Sequence, residues 1–195
     1  MNMSNETVPA DIRIIFLGPP GAGKGTQAQL LAVWLQIIHI STGEILRDAI
    51  AAATHLGQKA QHYVEAGELV PDELLAGLVR ERVAMPDARG GWILDGYPRT
   101  EDQAKFLDRL LDELDQTCNF IINLDVPDTK LCERLLARGR RDDTPETVAR
   151  RLQVYRDRTA GLIDFYCSRA SFHTLDGNRS PKDVNEALKE LVMRN

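Results

Sequence analysis

Gly18-Pro19-Pro20-Gly21-Ala22-Gly23-Lys24-Gly25-Thr26 follows the apolar run RIIFL (Arg13 to Leu17) and opens a stretch with helical periodicity. This succession of strand, glycine-rich loop and helix decides the fold. The loop matches the Gly-x4-Gly-Lys pattern of phosphate-binding loops and departs from it by placing Gly25 before the hydroxyl residue Thr26. Glycines let the backbone turn its N–H groups inward around a polyphosphate at a helix N-terminus. Lys24 would reach the outer phosphates, and Thr26, directly or through water, would face Mg2+. A plain flexible turn is the alternative, but it requires neither the strand before nor the helix after.

Working outward, further short apolar runs read as strands: GWIL (Gly91 to Leu94), NFIINLDV (Asn119 to Val126), FHTL (Phe172 to Leu175) and a weaker one at Ile37 to Ile40. Helical patterns separate them, the layout of an α/β, doubly wound, five-stranded parallel sheet with crossover helices. Helix starts are marked at Pro71, Pro127, Thr144-Pro145-Glu146, which is expected to open the longest helix, and Ser180-Pro181. Thr42 to Met85 lacks any strand-like run and reads as three successive helices, an insert between two strands suited to a second substrate.

Composition narrows the function. The 195 residues, 43% hydrophobic and 27% charged, fit one globular domain spanning 1–195. A net charge of −5 argues against nucleic-acid or anionic-membrane partners. Yet 18 of the 24 basic residues are arginine, and eight of these fall between Arg134 and Arg158 against four acids. An arginine-dense window in an acidic chain points to a pocket for a compact anion, because the guanidinium fork donates two hydrogen bonds to phosphate at once. Within it, the spacing of Arg134, Arg138 and Arg141 predicts one shared face of a continuing helix. The scattered cysteines Cys118, Cys132 and Cys167 read as reduced thiols, not a zinc site. The first residues, MNMSNETVPADIR, lack a signal-peptide pattern, and the run Leu30 to Ile40 is too short to span a bilayer, so a cytoplasmic location is expected.

Three other segments carry chemistry. Ser41-Thr42-Gly43-Glu44 is a capping-box pattern with Arg47 a turn further on, which serves equally as a helix start and as an anion site. Asp95-Gly96-Tyr97-Pro98-Arg99 follows a strand, and a carboxylate there is well placed to hold Mg2+ through water. Gln103 stands one helical turn beyond Arg99; by itself a lone Gln on a helix is more often a solvated surface residue, though its amide can pair with a base edge.

The glycine loop with Gly25 inserted, Ile40-Ser-Thr-Gly-Glu-Ile-Leu-Arg47, Asp95-Gly-Tyr-Pro-Arg99 and Arg140-Arg-Asp-Asp143, in that order, resemble the adenylate kinase family in its bacterial, very short-lid form. The resemblance runs from about Arg13 to the C-terminus. It implies reversible Mg2+-dependent phosphoryl transfer, ATP + AMP giving two ADP, in a monomer that maintains adenine nucleotide balance. ATP would then lie on Gly21, Ala22, Gly23, Lys24, Gly25 and Thr26, with Arg134 and Arg138 on its phosphates and Arg179 at its base. AMP would meet Thr42, Gly43, Arg47, Glu68, Leu69, Val70, Gly96, Tyr97, Pro98, Arg99 and Gln103, with Arg140 and Arg151 bracing that side. Lys24, Arg99, Arg134, Arg138, Arg140 and Arg151 would carry catalysis, and Thr26 and Asp95 the Mg2+. Residues 41–70 would form a flap over AMP and 137–143 a minimal lid fixed by Asp142 and Asp143, too short for the zinc-bearing insert of long-lid relatives.

Leu35-Gln36-Ile37-Ile38 lacks the Gly and Pro that relatives carry at this point, and Tyr97 replaces a more frequent Phe. A UMP/CMP kinase shares the loop and arginines, but Thr42 and Gln103 favour AMP. A GTPase switch would need an Asn-Lys-x-Asp motif, absent here, and a non-catalytic nucleotide sensor would tolerate losing arginines that this chain keeps.

Overall fold

The computed structural model describes residues 11–194. The leader reading of the N-terminus falls mostly on residues 1–10, outside the described ones. Five strands, β1 (Arg13–Leu17), β2 (Ile38–Ser41), β3 (Trp92–Asp95), β4 (Phe120–Asp125) and β5 (Phe172–Asp176), form a wholly parallel sheet in the order β2-β3-β1-β4-β5. The expected strands are all present, with ends displaced by about one residue.

Alternation along the strands divides the apolar side chains between two cores. Ile14 and Phe16 of β1 share one face with Ile93, Ile122 and Leu124, covered by α1 (Lys24–Leu35), α6 (Asp128–Arg138), α7 (Pro145–Val154) and α9 (Pro181–Met193). Ile15 and Leu17 share the other with Leu94 and Ile121, under α2 (Thr42–Ala51), α3 (His55–Ala66), α4 (Asp72–Ala84), α5 (Glu101–Glu113) and α8 (Leu162–Tyr166). Strands buried on both faces explain the nearly continuous hydrophobic runs in the sequence. Central β1 delivers the glycine loop to the carboxyl end of the sheet, where α/β folds bind ligands.

The region from Thr42 to Met85 is helical throughout its regular parts, as α2, α3 and α4 between β2 and β3. Ser41, Thr54, Thr100, Thr144 and Ser180 cap their helices by accepting a backbone N–H three residues on.

Two expectations are corrected. Thr144-Pro145-Glu146 opens α7, which has 10 residues, whereas α4, α5 and α9 each have 13. The helical path continues beyond Val154 but widens into a π-turn over Tyr155–Thr159, where Ala160 donates to the Tyr155 carbonyl at 2.8 Å. Arg141 does not share the face of Arg134 and Arg138. Gly139 takes the left-handed conformation (φ 68°) and ends α6 directly after Arg138.

Candidate active site

The glycine loop closes tightly on the sheet. Gly18 has φ 128°, and a Cβ there would lie 2.6 Å from the Leu124 carbonyl oxygen of β4, so only glycine fits. Gly23 caps α1 with no side-chain hydrogen bond, and the first turn of α1 has no acidic residue, leaving its positive end for an anion. Lys24 folds back on the loop: Nζ donates to the Gly18 and Pro19 carbonyls at 2.8 and 2.9 Å. Burial lowers its pKa to about 8; Asp95 opposes this, and Arg99 and Arg138 add to it.

A cavity of about 700 Å³ opens from this loop across the carboxyl ends of the strands. Its wall includes Gly21 to Thr26, Thr42, Gly43, Arg47, Glu68, Leu69, Val70, Asp95, Gly96, Pro98, Arg99, Arg134, Arg138, Arg140, Arg151 and Arg179. Eight cationic side chains thus face four carboxylates (Glu44, Glu68, Asp95, Asp142) in a chain of net charge −5. Arg47, Arg99, Arg134, Arg140 and Arg179 have no carboxylate within salt-bridge reach among the described residues. Arg134 donates to the Gly177 carbonyl at 2.9 Å, and Arg99 Nε to that of Gly96 at 2.7 Å. Burial lowers the Arg99 pKa, as do the charges of Arg151 and Arg47, with Asp95 opposing. Burial also lowers that of Arg140, helped by Arg138 and Arg47. Crowded, partly dehydrated cations of this kind are relieved by a bound polyanion.

Two arginines are paired. Asp143 binds Arg138 in a fork at 2.9 and 2.7 Å and also takes Arg151 at 3.0 Å; Asp142 binds Arg151 as well. Arg151 further donates to the Val64 carbonyl at 3.5 Å, Thr147 Oγ1 donates to that of Glu65 at 3.4 Å, and Arg150 pairs with Glu68 at 2.5 Å. Helix α7 therefore holds both the loop after α6 and the end of α3.

Asp95 ends β3 beside the glycine loop, with Oδ2 3.3 Å from the point where a Gly25 Cβ would stand. Burial alone would raise its pKa, but His39, Lys24 and Arg99 outweigh that and hold it below the ordinary carboxylate value. The 3.8 Å from His39 Nε2 to Oδ2 is too long for a hydrogen bond, and that nitrogen has no partner among the described residues. Asp95 and Thr26 are hard oxygen donors lining the same cavity, a donor type that suits Mg2+. No group of three or more His, Cys, Asp or Glu suited to a metal occurs among the described residues.

Two expected contacts lie behind the wall. Tyr97, 1% exposed, donates its hydroxyl to the Gln103 carbonyl at 3.3 Å. Gln103, also 1% exposed, accepts from the Arg99 N–H at 2.7 Å and donates to Asp72 at 2.6 Å. The sequence reading missed Tyr155 and Thr159, which the π-turn brings to the cavity, and Gly177, Pro181 and Val184 near Arg179. No spacing motif marks a π-turn. The Asp176-Gly177-Asn178 turn was the available signal for the rest.

The adenylate kinase family model matches residues 16–171. The chain belongs to the adenylate kinase family. It is 55% identical over 177 residues to adenylate kinase 1 of Nostoc sp., covering 91% of this chain and 96% of that one. Adenylate kinase 1 of Synechocystis sp. is 51% identical over 179 residues, 92% of this chain and 96% of the relative. An adenylate kinase of Corynebacterium urealyticum is 49% identical over 176 residues, 90% and 96% respectively. As a family member the chain is a nucleoside monophosphate kinase, an ATP-binding phosphotransferase. No described helix is long and apolar enough to cross a membrane.

Proposed function

We propose that this cavity transfers the γ-phosphoryl group of ATP to AMP, giving two ADP reversibly, and that its residues divide into donor and acceptor halves. The observation that carries the reading is the surplus, in one cavity of an acidic chain, of arginines with no carboxylate partner among the described residues. On the donor side, Gly21 to Thr26 wrap the polyphosphate, and Lys24 leaves the Gly18 and Pro19 carbonyls to follow it. Arg134 and Arg138 neutralise the transferring group, and Arg179 lies toward the ATP base.

On the acceptor side, Arg47, Arg99, Arg140 and Arg151 hold the AMP phosphate, with Thr42, Gly43, Gly96, Pro98 and Glu68 to Val70 around the nucleoside. Tyr97 supports Gln103 from behind, and Gln103 reads the base once acceptor binding uncovers its amide edge. Asp95 and Thr26 would hold Mg2+ largely through water, and the ion when bound supplies positive charge to the phosphates. No general base is required, because the attacking phosphate is already an anion; positioning and charge neutralisation suffice. Residues 137–143 act as lid and 41–70 as flap, folding down to exclude water. The short lid and family membership support action as a monomer, and a cytoplasmic location fits its ATP chemistry.

The test is 31P NMR of the protein with Mg·ATP and, separately, AMP, CMP, UMP or GMP. ADP forming with AMP alone is the expected result. Turnover with CMP or UMP and not AMP would overturn the acceptor assignment, and no turnover with any acceptor would overturn the reaction.

A further inference from the structure

We propose that Asp72, at the start of α4, is a positioning residue that sets the choice of acceptor base by fixing which way round the Gln103 amide is held. The proposal rests on the reading of Gln103 as the residue that meets the base.

The side-chain amide of Gln103 is held at both ends. Its oxygen accepts from the Arg99 backbone N–H at 2.7 Å, and its nitrogen donates to the Asp72 carboxylate at 2.6 Å. A backbone N–H can only donate and a carboxylate can only accept, so these partners admit a single orientation of an amide whose two ends look alike in shape. Reversing it would set NH2 against N–H and carbonyl oxygen against carboxylate. Gln103 is 1% exposed, so water cannot compensate a reversed amide.

An amide has two donor hydrogens and two acceptor lone pairs, and one of each is used. One donor and one lone pair remain, in an order fixed by Asp72 and Arg99. That remainder matches the edge of adenine, which offers an N–H donor at the exocyclic amine and an acceptor at the adjacent ring nitrogen. A 6-oxopurine offers the reverse, an acceptor at the oxygen and a donor at the ring N–H. Only a reversed amide would suit it. The N–H of Arg99 belongs to the backbone, and only a proline would remove it, deleting the Arg99 guanidinium as well; Asp72 is the half of the lock that can be tested on its own.

The experiment measures kcat/KM for AMP and for inosine monophosphate at saturating Mg·ATP in the parent protein, Asp72→Ala, Asp72→Asn and Gln103→Ala. Expected is a fall of at least tenfold in the AMP-to-IMP ratio for Asp72→Ala, carried by the KM values with kcat for AMP within about threefold of the parent. Asp72→Asn, which keeps the size but can also donate, should lower the ratio at least threefold. An unchanged ratio in the Asp72 variants beside a lowered ratio in Gln103→Ala would overturn the proposal and leave the base-reading role of Gln103 standing. An unchanged ratio in Gln103→Ala would overturn both. If Asp72→Ala melts below the assay temperature, the ratio in Asp72→Asn decides alone.

Discussion

Replacing Asp143 by alanine should cost this protein about 3 kcal/mol of stability. The carboxylate takes four hydrogen bonds: from Arg138 Nε and Nη2 at 2.9 and 2.7 Å, Arg151 Nη1 at 3.0 Å and the Arg140 backbone N–H at 3.2 Å. Its side chain has no exposed area, although the Arg138 fork that meets it is open to water. Removing one member of a buried ion pair costs about 3–5 kcal/mol. Here the lower end applies, because the two guanidiniums are 33% and 17% exposed and recover some hydration. For a chain of this size, 1 kcal/mol corresponds to roughly 2–4 °C, so Tm at pH 7 should fall by roughly 6–12 °C.

The pH dependence gives a second arm. Burial would raise the Asp143 pKa, but Arg138, the Arg140 N–H and Arg151 together hold it below the ordinary value. A depressed folded-state pKa means that the stabilisation is present above the unfolded value and lost as pH falls through the folded one. The Tm gap between parent and Asp143→Ala should therefore be full at pH 7 and shrink progressively below about pH 4. Calorimetry from pH 7 down to pH 3 makes the measurement. A Tm loss under about 2 °C at pH 7, or a gap that stays constant into acid, would refute the account of Asp143 as a charge hub.

Lys24, with its pKa lowered to about 8, should lose its charge as pH rises through that value, so kcat/KM for Mg·ATP should fall above pH 8 in a pH–rate profile. The unfolded chain holds this proton up to about 10.5, so over the same range the site adds to the stability of the free protein, as calorimetry would detect. Arg47→Ala should raise the AMP KM at least tenfold while leaving the KM for Mg·ATP within about twofold, measured by initial rates. Gln36 caps α1 in the left-handed region (φ 57°), where a side chain costs about 1 kcal/mol; Gln36→Gly should raise Tm by roughly 2 °C in a thermal melt.

Much of the fold was legible because the informative features are local. Glycines at 18, 21 and 23, a following lysine and flanking apolar runs define a strand, a loop and a helix without distant partners. The two-faced burial of β1, β3 and β4 appears directly as unbroken apolar sequence. The helix corrections arose where the deciding factor was conformational: Gly139 stopping α6 short of Arg141, and the π-turn ending α7 after Val154. The site was legible as a charge inventory, since arginine density needs no geometry. That Arg151 also reaches the end of α3 was not, because it meets Val64 across 87 residues of chain. Nor could the sequence reveal that Gln103 is pinned between Arg99 and Asp72. The absence of Gly and Pro near Gln36 had a visible outcome: a non-glycine residue makes the turn, with the Gln36 N–H donating to the Ala32 carbonyl.

The attachment of the loop after α6 and the end of α3 to the same helix has a consequence for how such an enzyme can be remodelled. The stitches from α7 to the end of α3 use Thr147, Arg150 and Arg151, whereas a Cβ on Gly139 would meet nothing within 4 Å. Extra residues grafted between Gly139 and Asp142 would extend outward without disturbing the seam at Val64 to Glu68. The loop after α6 is thus a segment whose length can be engineered, while the end of α3 keeps its attachment to α7.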